Sequence, residues 1–380
     1  MRRCVSKLRV KNRKPPIPDR IDLVDALFRW YDQEHRSFVW RAEPGDKPDP
    51  YRVWLSEVML QQTQAATVER YFNKFIAHWP TLKDLAATDL DALLQVWQGL
   101  GYYSRVRNLH RTARIVQHEH AGCFPEDEAG LMTLPGIGPY SAAAIAAIAF
   151  GKSATVVDGN VERVIARLFA VIDPLPKARS EIRKLAATLT PDRRPGDYAH
   201  AIMELGSVVC RPVNPICCQC PWAFGCEAKA RKLVDELPRR SPRPRRPIRY
   251  GVAFWLQRAD GAVLLRRRPE EGLLGGMMEI PSTDWRQGAW TLAEALKHSP
   301  LPQAKLFHKR LLPGTIRHEF SHFRLKLKLV AAKTRGRTRK AKDVVWCLPE
   351  QFGDYALSSA MHKLARHALE SESVAMERRP

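Results

Sequence analysis

The 380-residue sequence predicts a mainly α-helical domain followed by an α+β domain. Three observations carry that prediction. From Arg20 to about Val234 apolar residues recur three and four apart, the period of a helix with one buried face. From Tyr250 onward the period changes to two, the signature of half-buried strands. Between the two lies ELPRRSPRPRRPIRY, residues 236–250, whose prolines and six arginines read as a stiff, extended linker.

Taken in order, the helical periods fall at 21–31, 53–79, 90–97, 141–150, 161–171 and 182–189, punctuated by Pro80, Gly99, Pro135, Pro174 and Pro191. Beyond the linker, the runs 250–257 and 262–267 flank Ala259-Asp260-Gly261, a hairpin signal. Ser321, Phe323, Leu325, Leu327 and Leu329 then alternate with His322, Arg324, Lys326 and Lys328. A helix over 357–369 closes the second domain. The expected boundaries are a basic tail at 1–19, a helical domain at 20–235, a linker at 236–249, an α+β domain at 250–370 and a tail at 371–380.

Hydrophobic residues make up 45% of the chain and charged residues 27%, ordinary values for a globular protein. A chain this long can bury a core without disulfide staples. The longest small-apolar stretch, 142–150, is about half the length of a membrane helix, and no apolar segment follows the basic start. The expectation is a protein with no membrane span and no secretory signal.

The net charge of +22 invites a nucleic-acid partner. Its placement qualifies that inference. Residues 1–20, 239–249 and 333–342 carry +7, +6 and +6, so a tail, a linker and a loop hold +19 of the +22. Flexible basic arms strengthen phosphate binding in a salt-dependent way. The bland alternative is solvated charge with no partner.

Cys210, Cys217, Cys220 and Cys226 fall at C-x6-C-x2-C-x5-C. Thiolate suits zinc or an iron–sulfur cluster. Structural zinc sites usually use two close pairs from separate hairpins, whereas here one pair is flanked by single cysteines in one compact loop. That favours a four-iron cluster over zinc. Cys218 could replace Cys217 as a ligand, though the pattern leaves it out.

LPGIGPYSA, residues 134–142, joins two helical segments through a Gly-rich turn. Gly136 and Gly138 let backbone approach a phosphate, and the following helix offers free N–H groups at its start. An ordinary αα-hairpin is the plain alternative. With a small-residue helix after it, the segment matches a helix-hairpin-helix DNA-binding element.

The hairpin, the Asp158-Gly-Asn160 segment and the cysteine loop, in that order, resemble the endonuclease III superfamily. Within it, WLSEVMLQQTQ at 54–64 and GLGYY at 99–103 resemble the MutY family of adenine DNA glycosylases. The resemblance runs from about Ile21 to the end of the chain. It implies a helix-hairpin-helix glycosylase domain with a [4Fe-4S] loop, followed by a Nudix-like α+β domain. It also implies excision of adenine opposite 8-oxoguanine or guanine in double-stranded DNA. The base is flipped out of the stack to expose its reactive atoms. A monomer in a bacterial cytoplasm completes the expectation.

Adenine leaves poorly as an anion, so an acid must protonate it while a second carboxylate faces the sugar cation. Glu57 shares a helix face with Val53, Trp54, Leu60 and Gln61, and an apolar wall raises a carboxyl pKa. The resemblance makes it the proton donor. A solvent-facing helix Glu is the alternative. Asp158 sits where a strand-like run meets a helix, so it reads as an N-cap and, by resemblance, as the group facing the sugar. Asn160 and Glu204 match supporting residues. Lyase-active members carry Lys at the position of Tyr140; Tyr cannot form a Schiff base, so the enzyme is expected to be monofunctional.

Arg36, Trp40 and Arg41 resemble the family's adenine pocket, with Phe38-Val39 departing from the more usual Leu-Pro. Gln62 and Tyr102 match residues that wedge into the stack at the orphaned guanine, with Thr63 and Leu100 as its contacts. Ser321 and His322 match the loop that recognises 8-oxoguanine. The stretch 272–284 lacks the R-E-x-x-E-E run of a working Nudix hydrolase. A bifunctional pyrimidine glycosylase, a non-catalytic iron–sulfur protein and a Nudix pyrophosphatase are the rival readings. Tyr140, the Glu57–Asp158 pair and the missing Glu-rich helix oppose them in turn.

Overall fold

The computed structural model describes residues 19–42, 47–242, 245–335 and 343–377. Most of the basic tail, part of the linker and the bulk of the 333–342 loop lie outside the described residues. The chain forms two compact units, one of residues 1–50, 126–132 and 137–241, the other of 51–125, 133–136 and 242–380.

The first unit contains α1 (Arg20–Glu34), and its sequence resumes at α7 (Glu128–Met132), α8 (Pro139–Phe150), α9 (Gly159–Leu168), α10 (Arg179–Leu189), α11 (Pro195–Glu204) and α12 (Glu227–Ala230). Asp19 caps α1 by accepting from the Ile21 N–H. Proline stands in the first turn of α8 and α11, where its missing N–H costs nothing. The core packs Leu23, Leu27 and Phe28 of α1 against Val164 and Ile165 of α9, Ile182 of α10 and Ile202 of α11. Trp222, fully buried, donates to the Leu23 carbonyl at 2.7 Å and ties the cysteine loop to that core. The linker's start belongs here too: Leu175 accepts from Ser241 and donates to the Arg239 carbonyl.

The second unit holds α2 (Pro50–Leu60), α3 (Ala65–His78), α4 (Leu82–Ala87), α5 (Leu90–Val96) and α6 (Ser104–Glu119). Trp54, Phe72, Phe75 and Trp97 are fully buried, each such side chain contributing about 2–3 kcal/mol. The single helix expected over 53–79 is broken at 61–64, where Gln62 takes φ 58°. A residue in the left-handed region cannot continue a right-handed helix.

The same unit carries a seven-stranded sheet: β1 (Ile248–Gln257), β2 (Val263–Arg267), β3 (Met278–Glu279), β4 (Leu306–Leu311), β5 (Ile316–Glu319), β6 (Arg324–Thr334) and β7 (Val344–Cys347). Its main order is β3-β2-β1-β6-β4, with β5 also on β6 and β7 on β2. β1 and β6 run parallel from Ile248↔Arg324 to Gln257↔Lys333. The expected hairpin joins β1 to β2, with Gly261 at φ 86°. One sheet face packs under α14 (Ser359–Glu377) through Leu325, Leu327, Leu329, Met361 and Leu364. The other packs Phe254 and Val330 against Ala295 of α13 (Leu292–Leu296). Ser321 precedes β6 instead of heading it, and α14 extends to Glu377, through much of the expected tail. No described helix is long and apolar enough to cross a membrane.

Candidate active site

α9 begins at Asp158, whose Oδ1 accepts from the N–H groups of Asn160 at 2.9 Å and Val161 at 2.7 Å. Asn160 Nδ2 donates to Asp158 Oδ2 at 2.8 Å. The expected N-cap is therefore present, with one carboxylate oxygen serving both N–H groups. Burial pushes the Asp158 carboxyl above the usual range, and these hydrogen bonds, with Arg163, hold it back.

The support continues inward. Arg163 Nη2 donates to Asn160 Oδ1 at 2.9 Å, and its Nε donates to the Cys210 carbonyl at 2.7 Å. Gly206, in a π-helical turn over Leu205–Val209, lies against Asn160; a Cβ there would stand 2.7 Å from the Asn160 Cβ. Only glycine permits that approach without displacement.

Glu204 closes α11 with its carboxylate fully buried. Oε1 accepts from the Arg36 backbone N–H at 2.7 Å and Arg36 Nε at 2.9 Å; Oε2 accepts from Arg41 Nη1 at 3.0 Å. Both guanidiniums lie over the Phe38 ring, at 5.0 and 4.8 Å, and Phe38 stacks on Trp40. The departure from Leu-Pro thus supplies an aromatic surface for two cations. Burial and then Arg41 push His200, one turn before Glu204, down to about 3, so its imidazole is neutral. Tyr140 donates to the Met203 sulfur at 3.3 Å.

In the second unit, Glu57 is 4% exposed on α2, a helix buried along most of its length. Beyond α2, Gln62 is exposed at φ 58° and Thr63 half-buried. The loop before α6 presents Tyr102, 44% exposed at φ 48°, above a buried Leu100. Arg105 holds both segments. Its guanidinium donates to the carbonyls of Val58, Met59 and Gln61 and to those of Leu100 and Gly101. Ser321 and His322 are exposed, and Ser321 Oγ lies 3.2 Å from Tyr102 Oη.

In the hairpin, Gly136 takes φ 79° and packs so tightly on Asn108 that a Cβ would come within 2.7 Å. Gly138 caps α8 with open space around it, leaving room for a ligand at the helix start.

Cys210, Cys217, Cys220 and Cys226 line one small space with Arg167, Val209 and Val234. Arg167, buried, donates to Cys210 Sγ at 3.3 Å and to the carbonyls of Arg211 and Leu237. Burial pushes the Cys220 thiol up to about 12, and raises Cys226 and Cys217. Among the described residues no three His, Cys, Asp or Glu side chains are placed to hold a single metal ion. Cys218 is exposed and lines none of this space.

Sequence reasoning missed Arg105, Arg163, Arg167 and His200. Arginines within helices read as surface, and no local pattern marks one that turns inward to backbone carbonyls.

Residues 55–191 match the family model of the HhH-GPD superfamily base excision DNA repair protein, and residues 252–367 match the NUDIX domain. A thermostable thymine-DNA glycosylase superposes with TM-score 0.50 at 27% identity, covering 56% of this chain and 97% of that one. The hairpin, the capped Asp158 and this fold define a base excision repair glycosylase of the helix-hairpin-helix class. The adenine DNA glycosylase of Homo sapiens is 37% identical over 401 residues, 90% of this chain and 73% of that protein. The one from Arabidopsis thaliana is 34% identical, over 89% of this chain and 63% of that protein. The chain belongs to the adenine DNA glycosylase family, enzymes of base excision repair that are monofunctional glycosylases.

Proposed function

We propose that this enzyme hydrolyses the N-glycosidic bond of adenine paired with 8-oxoguanine, and more slowly with guanine, in duplex DNA. The observation that carries the reading is the pair of carboxylates in contrasting settings. Glu57 is buried on an apolar helix, and Asp158 is half-buried and held by hydrogen bonds. Opposed environments assign opposed tasks to two carboxyl groups.

In this mechanism the duplex is gripped at the hairpin, with phosphate at the Gly136–Gly138 turn and the start of α8. Gln62 and Tyr102 enter the stack beside the orphaned guanine, with Thr63 and Leu100 against it. The flipped adenine enters the pocket of Arg36, Trp40 and Arg41, anchored by Glu204. Glu57 delivers a proton to the adenine as the bond to C1′ breaks, and the base leaves neutral. Asp158, steered by Asn160, faces the positive charge developing on the sugar. Water completes the hydrolysis at C1′. Tyr140 offers no amine, so the sugar–phosphate backbone stays intact. Ser321 and His322 read the oxidised base from a domain spanning 250–370, joined by the 236–249 linker to a glycosylase body at 20–235.

The four cysteines fit a [4Fe-4S] cluster by donor chemistry: four soft ligands around one space. Such a cluster supplies structural cross-linking of the loop rather than bond chemistry. The site of action is expected to be the bacterial cytoplasm, on the chromosome, as a monomer.

The test compares single-turnover adenine release from duplexes with adenine opposite 8-oxoguanine, guanine, cytosine and thymine, for the wild type and Glu57→Gln. The expected order is 8-oxoguanine first, guanine second, with no release by Glu57→Gln despite retained binding. Normal release by that variant removes the mechanism.

A further inference from the structure

A set of polar contacts joins the segment 91–107 to the sheet domain, all inside the second compact unit. Arg267, at the end of β2, donates from Nη1 and Nη2 to the two Asp91 oxygens, each at 2.7 Å. The same Nη1 donates to the Gly276 carbonyl at 2.9 Å. Arg107, on α6, donates to the Gly275 carbonyl at 2.7 Å. Gln98 Nε2 reaches the Leu357 carbonyl at 3.2 Å and His362 Nε2 at 2.6 Å. The same segment carries the Ser321–Tyr102 contact at 3.2 Å.

The turn that receives both arginines is closed by its own backbone: the Gly275 N–H donates to the Gly272 carbonyl at 3.3 Å, and the Gly276 N–H to the Pro269 carbonyl at 3.1 Å. Gly272, Leu274 and Gly276 have φ 86°, 57° and 72°. A Cβ on Gly275 would collide with the Glu270 carbonyl oxygen, so the backbone there is closed on itself. Guanidinium groups on a hydrogen-bonded turn fix position in a way that contacts to an open loop cannot. The fork-to-fork geometry of Arg267 with Asp91 adds direction to charge.

We infer that these contacts register the sheet domain on α5 and α6 so that Ser321 meets the base beside Tyr102, which makes Arg267 and Arg107 positioning residues for lesion discrimination. This rests on the reading of Ser321 as the group that senses 8-oxoguanine. The chemistry at adenine draws on other residues, so the docking contacts govern the preference between 8-oxoguanine and guanine and leave the slower reaction alone. Each contact is partly exposed, and an exposed pair is worth less than about 1 kcal/mol. The effect of one substitution is therefore a modest factor, and effects accumulate across the set.

The experiment measures single-turnover adenine release opposite 8-oxoguanine and opposite guanine, and takes their ratio, for Arg267→Ala, Asp91→Ala, their double variant, the triple variant Asp91→Ala/Gln98→Ala/Arg107→Ala, and Ser321→Ala. Arg267→Ala and Asp91→Ala should each lower the ratio two- to fivefold, and the double variant no further. The triple variant should lower it more than tenfold. Release opposite guanine and Tm should stay near wild type in the Arg267, Asp91 and triple variants, which a simple loss of folding would not allow. A reduced ratio for Ser321→Ala with an unchanged ratio for Arg267→Ala and the triple variant overturns the inference. An unchanged ratio for Ser321→Ala as well overturns the lesion-reading role itself. Loss of the ratio in the docking variants alone keeps the registration and removes Ser321 as the reader.

Discussion

Arg105 donates across 44 residues to the carbonyl of Gln61, at 2.7 Å. The same guanidinium reaches Leu100 and Gly101. It therefore binds the backbone directly before both left-handed residues, Gln62 and Tyr102. Left-handed backbone in non-glycine residues costs roughly 1–3 kcal/mol each and persists when its surroundings enforce it. Arg105 is that enforcement.

Arg105→Ala should consequently destabilise the protein by about 3 kcal/mol or more, because five backbone carbonyls lose a cationic donor. Arg105→Lys should recover little, since a single ammonium cannot serve acceptors spread over two loops. Thermal melts check the stability, and binding to a non-cleavable duplex checks the wedge. A Lys variant with wild-type Tm and binding would contradict the account.

The Glu204 carboxylate lies in contact with Arg36 and Arg41. Glu204→Gln leaves Arg41, whose Nε already lacks a partner, with an uncompensated charge in a largely buried setting. Removing one member of such a pair costs about 3 kcal/mol. The prediction is a lowered Tm together with a large loss of adenine release, because Arg36, Trp40 and Arg41 all line the proposed pocket. Retained stability with lost release would instead give Glu204 a chemical role.

Much of this was legible in the sequence. Cysteine spacing, the Gly136–Gly138 turn and the period change at Tyr250 are local patterns, and local patterns survive in one dimension. Arg36, Trp40, Arg41 and Glu204 were each singled out, yet their convergence depends on α1 packing against α11, which no spacing encodes. Arg105 and Arg163 were illegible for the same reason. Each is one arginine in a helix, and what distinguishes it is a set of carbonyls tens of residues away. The break at Gln62 was hidden because no Gly or Pro marks it: residues 61–64 are Gln-Gln-Thr-Gln, and the apolar period resumes just beyond.

The Asp158 carboxyl titrates above its ordinary range because burial disfavours the charge. A carboxyl raised in the folded state holds its proton where the unfolded chain, near pH 4, has released it. Ionised Asp158 therefore subtracts stability as pH rises through the window from about 4 to the raised value, and the cost is constant above it. Asn keeps the N-cap and removes the charge. The Tm of Asp158→Asn relative to wild type should rise with pH across that window and then level off, while adenine release is abolished. A relative Tm that falls with rising pH would reverse the assigned sign.

A chain of hydrogen bonds runs from Asp158 to the cysteine loop. Asp158 accepts from Asn160, Asn160 accepts from Arg163, and Arg163 donates to the Cys210 carbonyl. Each link is a hydrogen bond to a charged group, worth about 1.5–3 kcal/mol. Cys226→Ser should lose iron and lower Tm, since the loop packs on the core through Cys220, Cys226 and Trp222. Arg163→Gln should behave differently. It leaves the four thiols untouched, so iron content should stay at the wild-type level. It also frees Asn160 from the loop, so single-turnover release should drop more than tenfold through misorientation of Asp158. Iron analysis and release measured on the same preparation separate the two effects. An Arg163→Gln protein with full iron and a wild-type rate would show that Asp158 is held by its own helix cap alone.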